Sequence, residues 1–350
     1  MNELTQRQRK IAEFIASKER AKISDILDYL KTKEIEVSRF SIIRDLERLI
    51  SAGIIKREGR GRGIHYTEKI LSTVERYIDV DEYFNLPPDK RPIVSEHFDS
   101  SIFKKLKNIF STNEKKKINQ LNAIYLDHRN KISKTIEKKE LERLIIELSW
   151  KSSEIEGNTY TLLDTELLIK ENIEAKGHPK EEAIMILNHK KALQYVWNNK
   201  ERFKKLSLRD IEDVHKLIVS GLGVSYGLRR SPVGITGTAY KPLGNIFQIE
   251  EAARQMTKVV NAENYPPGKA LVLLALLSYI QPFEDGNKRS ARLLANAILL
   301  AYGYAPISYR SVDEKEYKKA VLLFYEKHNI NYLKKIFVGQ FIFAVNNYFA

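Results

Sequence analysis

The 350-residue sequence contains no cysteine, which excludes disulfides, thiolate metal sites and thiol nucleophiles. It has no apolar run near the roughly 18 residues that a membrane-spanning helix needs, and its start, Met1–Arg7, lacks the apolar core of a secretory signal. Acidic residues are fewer than basic ones: the sequence has 45 Asp and Glu and 59 Lys and Arg, which gives a formal net charge of +14. These absences predict a soluble, cytoplasmic protein with no membrane partner. Its charge favours an anionic partner, such as a nucleotide or a nucleic acid.

One short segment, Gln281 to Arg292, contains most of the chemical information. It is a polar turn between two apolar runs. If the second run is a helix, its free N–H groups and its positive dipole end face the turn and favour an anion. Arg289 and Arg292 are three residues apart, so both project from one side of that helix. Asp285 beside bound phosphates would be a natural Mg²⁺ ligand. The segment therefore predicts a nucleotide polyphosphate site.

This segment resembles the active-site motif of Fic-domain proteins, H-P-F-x-D/E-G-N-G-R-x-x-R. Most of those enzymes transfer AMP from ATP to a hydroxyl side chain of a target protein. The residues that match the motif are Pro282, Phe283, Asp285, Gly286, Asn287, Arg289 and Arg292. The resemblance implies a mainly α fold with an all-helical Fic core, with ATP and Mg²⁺ as cofactors. By analogy, Gly286, Asn287, Arg289 and Arg292 would bind the nucleotide, and Asp285 would bind the metal.

Two residues, Gln281 and Lys288, depart from the motif. Together with Asn287 they occupy the positions that we predict to be catalytic. Gln281 replaces the family's histidine, which acts as a general base because its pKa lies near neutrality. A glutamine amide can only hydrogen-bond, and losing a general base costs about 10²–10⁴-fold in rate. Lys288 replaces the second glycine. The Doc-type branch of the superfamily has a lysine there, and it transfers the terminal phosphate of a reversed nucleotide. An artificially inactivated variant is disfavoured, because inactivation would not need Lys288.

An inhibitory segment is predicted upstream of this core. Ser152, Glu156 and Gly157 resemble the family's inhibitory motif S/T-x-x-x-E-G/N. By analogy, Glu156 would pair with Arg292 and occupy the position of the γ-phosphate of ATP. The chemistry is consistent, because a guanidinium binds a carboxylate or a phosphate through the same two-pronged geometry.

The segment 233–242 combines β-branched residues with turn formers and predicts a β-hairpin. It corresponds to the family's flap, which holds a target segment by strand addition. The candidate flap contacts are Val233, Ile235, Thr236 and Gly237. His215 lies on a predicted helix that starts near Ser207, and we interpret it as structural rather than as a substitute base.

The amino-terminal residues 1–68 predict three helices followed by a two-stranded hairpin. This order resembles the winged helix-turn-helix of bacterial and archaeal regulators. The candidate DNA-binding residues are Arg39 and Arg44 on the third helix, and Arg57, Arg60 and Arg62 on the hairpin. A protein-docking or dimerisation module is the alternative. A helical connector at 69–139 and a Fic-like domain at 140–350, including the inhibitory helix, complete the predicted organisation.

Three functional hypotheses follow. The first is an ATP-binding Fic-type adenylyltransferase, restrained by Glu156, that acts on a protein hydroxyl and has a weakened site at Gln281. The second is a catalytically weak, nucleotide-responsive regulator that binds duplex DNA. The third is a Doc-like phosphotransferase, because of Lys288. Whether the protein forms a homodimer stays open.

Overall fold

The structure, a computed structural model, describes residues 4–18, 20–69 and 73–349, without the side chains of Arg62 and Thr73. Contacts within the chain divide it into two compact units, residues 1–91 and 92–350. The described chain is mainly helical with one two-stranded sheet, which confirms the predicted mainly α class. The predicted division into a winged-helix domain (1–68), a helical connector (69–139) and a Fic-like domain (140–350) stays a prediction.

The first unit contains three helices, a hairpin and a short fourth helix. Their bounds are α1 Gln6–Ser17, α2 Ile23–Thr32, α3 Arg39–Ser51, β1 Ile55–Glu58, β2 His65–Glu68 and α4 Val80–Asn85. Thr5 and Gln8 form a reciprocal capping box at the start of α1, and Ser38 caps α3 through its side chain. The apolar stripes of the three helices share one core with the hairpin residues Ile55 and Tyr66. The order of helices and strands agrees with the sequence prediction.

Two further contacts fix this small core. The backbone of Ala21 pairs with that of Tyr66, which adds a one-residue third strand beside β2. The buried Asp45 of α3 accepts hydrogen bonds from Arg7 Nε at 2.6 Å and Gln8 Nε2 at 2.8 Å. Because both donors lie on α1, this carboxylate fixes the third helix against the first.

The second unit is a helical assembly. Its helices are α5 Ile102–Lys105, α6 Thr112–Lys131, α7 Lys134–Glu154, α8 Leu162–Glu171, α9 Lys180–Asn198, α10 Leu208–Val219, α11 Ile246–Ala262, α12 Pro266–Ile280, α13 Asn287–Ala301, α14 Glu314–Lys327 and α15 Asn331–Asn347. Helix α12 is buried from Pro267 to its end because it is apolar on every side. It packs against α13 at the centre of the unit. Within the described ranges, no helix is both long and apolar enough to cross a membrane.

The segment 233–242 differs from the predicted hairpin. It is extended chain with a turn at Thr236 and Gly237, and its one bridge is a parallel contact between Lys241 and His97. An isolated two-stranded hairpin is only marginally stable in water, and proline residues at 232 and 242 remove backbone donors at both ends. The antiparallel hairpin of the described chain is β1–β2.

Candidate functional site

The site is formed by the loop between α12 and α13. Helix α12 ends at Gln281, whose left-handed backbone (φ 50°, ψ 58°) turns the chain out of the helix. Gly286, with φ 76°, starts α13. A Cβ atom on Gly286 would lie 2.9 Å from Val219 Cγ1, so a side chain here would force α10 to shift, and the positive φ adds strain for any residue but glycine.

The amide of Asn287 closes this loop. Its Oδ1 accepts from the Phe283 N–H at 2.9 Å, and its Nδ2 donates to the Phe283 carbonyl at 2.8 Å. The amide oxygen and the amide nitrogen of Asn287 are therefore both hydrogen-bonded to the backbone of Phe283. The loop thereby holds the amino end of α13 in a fixed position, where unpaired N–H groups can bind an anion.

Arg292 is fully buried and is bound to the end of α7. Its Nε donates to Ser152 Oγ at 2.9 Å, its Nη2 to the Ser152 carbonyl at 2.7 Å, and its Nη1 to Glu156 Oε1 at 2.9 Å. The guanidinium also lies 5.4 Å from the centre of the Tyr317 ring. The structure thus brings together Arg292 and two residues of the predicted inhibitory motif. The third, Gly157, has φ 98° and turns the chain out of α7.

A second cation contacts the same carboxylate: Lys288 Nζ lies 3.5 Å from Glu156 Oε2. Burial raises the pKa of Glu156, but Arg292 and Lys288 lower it by more, so the net pKa lies below its ordinary value. Burial lowers the pKa of Arg292, and the charge of Glu156 raises it above its ordinary value. The pair is therefore charged throughout the physiological range.

Arg289 is also buried, and its Nη2 donates to Asp285 Oδ2 at 2.7 Å. Burial lowers its pKa, and the charges of Asp285 and Glu156 only partly oppose this. Its Nη1 has no hydrogen-bond partner among the atoms that the structure describes. A buried cation with a spare donor beside a helix amino end is suited to an anionic ligand.

Asp285 is the residue in this loop best suited to a metal. Its side chain is 63% exposed, and one of its oxygens is engaged by Arg289. Mg²⁺ usually binds one or two carboxylates together with phosphate oxygens and water. A single accessible carboxylate beside an anion site fits that donor set.

Gln281, at the predicted position of the base, is 8% exposed. Its Nε2 donates to the Ser278 carbonyl at 2.6 Å and lies 3.3 Å from the Tyr325 hydroxyl. The amide nitrogen therefore points back toward α12 and α14. The side chain contributes hydrogen bonds and no basic group.

Two histidines near the arginines of the site are buried and neutral at physiological pH. The ring of His215 stacks on Phe283 with centroids 3.7 Å apart, and its Nε2 lies 3.0 Å from the Asp285 carbonyl oxygen. Burial lowers the pKa of His215 to about 4. Burial, together with Arg289 and Arg292, lowers the pKa of His189 well below its ordinary value. His215 therefore supports the loop, in agreement with its predicted structural role.

Comparisons with known proteins agree with this geometry. A model of the Fic/DOC family matches residues 205–299. These residues form a Fic/DOC family domain. The chain is 26% identical over 166 residues to "Protein adenylyltransferase Fic" of Drosophila ananassae, which covers 47% of this chain and 33% of that protein. It is 29% identical over 178 residues to the protein of the same name from Nematostella vectensis, covering 47% and 40%. The chain thus spans about a third to two fifths of the length of these relatives.

Solved structures show the same fold. Fic-1 from C. elegans matches with a TM-score of 0.56 and 17% identity, over 67% of this chain and 71% of that one. A Fic-domain-containing signaling protein from Bacteroides thetaiotaomicron matches with a TM-score of 0.56 and 20% identity, over 65% and 94%. At such identities the likeness establishes the fold alone.

The Fic domain contains one central residue that the sequence patterns did not reveal. Arg229 is buried, and its Nε donates to the Gln281 carbonyl at 2.7 Å. Its Nη1 donates to the Ser231 carbonyl at 2.7 Å, and its Nη2 donates to the Leu243 carbonyl. One guanidinium therefore joins the loop between α12 and α13 to both ends of the segment 233–242. In the sequence, nothing distinguishes Arg229 from its neighbour Arg230.

In the flap itself, burial alternates along the chain. Val233 and Ile235 are half-buried, whereas Gly234 and Thr236 are exposed. Gly237 has φ 84° at the turn. This period-two pattern is that of a strand with one face on the protein, although no partner strand is present in the described chain.

Outside the Fic domain, the first unit has an exposed basic face. Arg39, Arg44 and Arg48 are exposed on α3, on the side away from its buried stripe. Phe40, beside them, is 73% exposed. Arg57 and Arg60 of the hairpin are also exposed. The side chain of Arg62 lies outside the described part of the structure.

The first unit also contains an acidic cluster formed by Glu13, Asp79 and Glu82. Their carboxylate oxygens lie within 4.8 Å of one another. Burial, followed by the charges of Glu82 and Asp79, raises the pKa of Glu13 to about 7. The sequence patterns did not reveal this cluster, because Glu13 is 66 and 69 residues from Asp79 and Glu82.

Proposed function

We propose that the chain binds a nucleoside triphosphate at the amino end of α13 and transfers AMP, slowly, to a hydroxyl of a target protein. The observation that carries this proposal is the contact between Glu156 and Arg292. A guanidinium binds a carboxylate and a phosphate with the same geometry, so Glu156 occupies the site on Arg292 that a terminal phosphate would need. The name shared by the relatives, protein adenylyltransferase, supports the same reaction.

In the bound state, the phosphates would lie at the free N–H groups of α13, with Arg289 and Arg292 as their cations. The spare Nη1 donor of Arg289 supports this arrangement. Mg²⁺ would be held by Asp285 and phosphate oxygens, and it would neutralise charge on the triphosphate. Glu156 has to leave Arg292 before the terminal phosphate can reach it. The resting chain is therefore autoinhibited.

The transfer itself is expected to be slow because of Gln281. The target hydroxyl oxygen bonds to the α-phosphorus, the bond from that phosphorus to the bridging oxygen breaks, and pyrophosphate leaves. The hydroxyl proton needs an acceptor, and the Gln281 amide cannot take it. Without a positioned base, the proton passes to solvent or to a phosphate oxygen, about 10²–10⁴-fold less efficiently.

The flap segment would hold the target. Strand addition needs an extended chain with one side available, and the alternating burial at residues 233–236 supports that use. Arg229 keeps both ends of the segment beside Gln281. Recognition through backbone hydrogen bonds would select little sequence in the target.

Transfer of the terminal phosphate is a second reaction that this site could support, because Lys288 adds a cation at the first turn of α13. The two reactions differ in the atom attacked: the α-phosphorus for AMP transfer and the γ-phosphorus for phosphate transfer. We favour AMP transfer because the Asp285-Gly286-Asn287 segment is Fic-like.

A second candidate function is a nucleotide-responsive DNA-binding regulator. The exposed arginines of α3 and the hairpin favour it, since helix and hairpin cations can contact phosphates in a winged-helix arrangement. In this function the Fic domain would bind nucleotide without efficient chemistry. The loss of the base at residue 281 supports that possibility.

The experiment that tests the proposal uses ATP labelled separately at the α- and γ-phosphates, with self-modification as the readout. We expect α-label on the protein, more on Glu156→Gly than on the wild type, and none on Glu156→Gly/Arg289→Ala. γ-Label alone would establish phosphate transfer. If neither label appears, although Glu156→Gly binds ATP, the regulator is the better account.

A further inference from the structure

The ammonium of Lys288 lies in the first turn of α13, next to the inhibitory contact. Its Nζ is 3.5 Å from Glu156 Oε2, and its side chain is 29% exposed. The other oxygen of that carboxylate, Oε1, accepts from Arg292 Nη1 at 2.9 Å. The two oxygens of one inhibitory carboxylate therefore face two different cations.

The balance of charge around the loop makes this contact important. Three cations, Lys288, Arg289 and Arg292, share two carboxylates, Asp285 and Glu156. Asp285 is mostly exposed and bonded to Arg289. When Glu156 leaves, Lys288 and Arg292 lose the same counter-ion together, and their mutual repulsion rises. A ligand that replaces Glu156 has to neutralise both.

We propose that Lys288 has two opposed roles: it holds Glu156 in the closed site, and it binds the terminal phosphate of a nucleoside triphosphate in the open one. This inference rests on the proposed function, because it takes the triphosphate as the ligand that displaces Glu156. A terminal phosphate carries up to two negative charges at neutral pH, whereas Glu156 carries one. Two cations therefore suit the phosphate better than the carboxylate, so Lys288 favours nucleotides that end in a third phosphate.

The proposal predicts that removing Lys288 has different effects with and without the inhibitory charge. With Glu156 present, Lys288→Gln weakens the inhibitor and the ligand together, so the two losses largely cancel. Without that charge, only the loss at the phosphate remains. A residue with a purely structural role would weaken binding equally in both backgrounds.

The test is a double-mutant cycle with the full chain, in which calorimetry measures Mg·ATP binding to the wild type, Lys288→Gln, Glu156→Gln and the double variant. We expect Lys288→Gln to change Kd by less than about threefold with Glu156 present, and to weaken binding about tenfold in the Glu156→Gln background. Equal weakening in both backgrounds would overturn the proposal. So would the absence of an effect in both backgrounds.

Thermal unfolding of the same four proteins without nucleotide separates this inference from the proposed function. Lys288→Gln should lower Tm by about 1–3 °C when Glu156 is present, and should not lower it in the Glu156→Gln background, where it relieves repulsion. The control cycle is Lys170 and Glu166, an exposed pair 2.6 Å apart on α8. If no variant binds ATP, the nucleotide site and the open-state role both fail, while the unfolding cycle still decides the closed-state role. No coupling in that cycle overturns the role at Glu156.

Discussion

The replacement at Gln281 decides how much chemistry the site can perform. Its Nε2 donates to the Ser278 carbonyl at 2.6 Å, at the left-handed end of α12. The loop, both arginines and Glu156, the residue of the proposed inhibitory contact, are all present in the same site. For the proposed transfer, the missing proton acceptor at residue 281 is therefore the departure that bears on rate, while Lys288 bears on the phosphates.

We expect Gln281→His in a Glu156→Gly background to raise transfer of α-label by about 10²–10⁴-fold, because a neutral imidazole can accept the hydroxyl proton. The measurement is the initial rate of labelling at saturating ATP. The matched control is Gln281→Asn, which keeps an amide and should leave the rate low. An equal gain in both variants would show that side-chain shape, and not basicity, limits the reaction.

Among individual residues, the sequence identified those site residues whose types and spacing form a motif. The spacing from Asp285 to Arg292, and the short pattern around Glu156, predicted residues that the fold brings within hydrogen-bond distance. Arg229 and His189 could not be predicted in the same way. Both are buried, Arg229 against this loop and His189 near the two arginines, and burial of a polar side chain leaves no pattern in one sequence.

Among the elements, the start of α13 is constrained by its packing on α10. We expect Gly286→Ala to destabilise the protein by about 2–4 kcal/mol, because a Cβ adds left-handed strain and contacts Val219 at 2.9 Å. Gly303→Ala is a matched control, since its φ of 72° is similar but no atom lies within 4 Å of the added Cβ. Urea unfolding measures both. Equal costs would mean that α10 can yield under the loop.

The packing of α1 against the segment 79–82 should depend on pH through Glu13. Its pKa is raised from 4.5 to about 7, so the folded state binds the extra proton and loses stability as pH rises through that window. Glu13→Gln should therefore stabilise α1 at pH 8, by roughly 1 kcal/mol after allowance for solvent screening, and not at pH 4.

Hydrogen exchange of the α1 amides measures this effect. The exposed Glu36→Gln, in the same unit, is the control. A gain in protection that is equal at pH 4 and pH 8 would contradict the raised pKa of Glu13.

The segment 233–242 shows that strand pairing could not be predicted from the sequence. β-Branched residues and turn formers at 233–242 predicted a hairpin, whereas the structure has an extended chain there, with burial that alternates at 233–236. The pattern cannot say whether a strand has a partner, because pairing is decided by neighbours distant in sequence. The helices of the first unit were easier to predict from the sequence, since a capping residue and an apolar stripe are local signals.

For the whole molecule, the net charge of +14 is consistent with binding to an anionic polymer as well as to a nucleotide. We expect the full chain to bind duplex DNA through its first unit. Replacing Arg57 and Arg60 by alanine should weaken binding about tenfold and reduce the slope of log K against log salt by about 2, because two fewer phosphates are neutralised.

Fluorescence anisotropy over a salt series measures this effect. Arg254→Ala, on an exposed side chain of α11, is the control. If the double variant has the same slope as the wild type, the hairpin does not contact the DNA. If the wild type binds no DNA at low salt, the first unit is a docking module.

In the proposed function, Glu156 occupies the terminal-phosphate position of a nucleotide site. The most direct test compares calorimetric affinities for Mg·ATP and Mg·ADP in the wild type and in Glu156→Gly. Because only ATP has a phosphate that competes with the carboxylate for Arg292, we predict that the variant binds ATP about tenfold more tightly or better, while its affinity for ADP changes less than about threefold. An equal change for both nucleotides, or no change for either, would contradict the account.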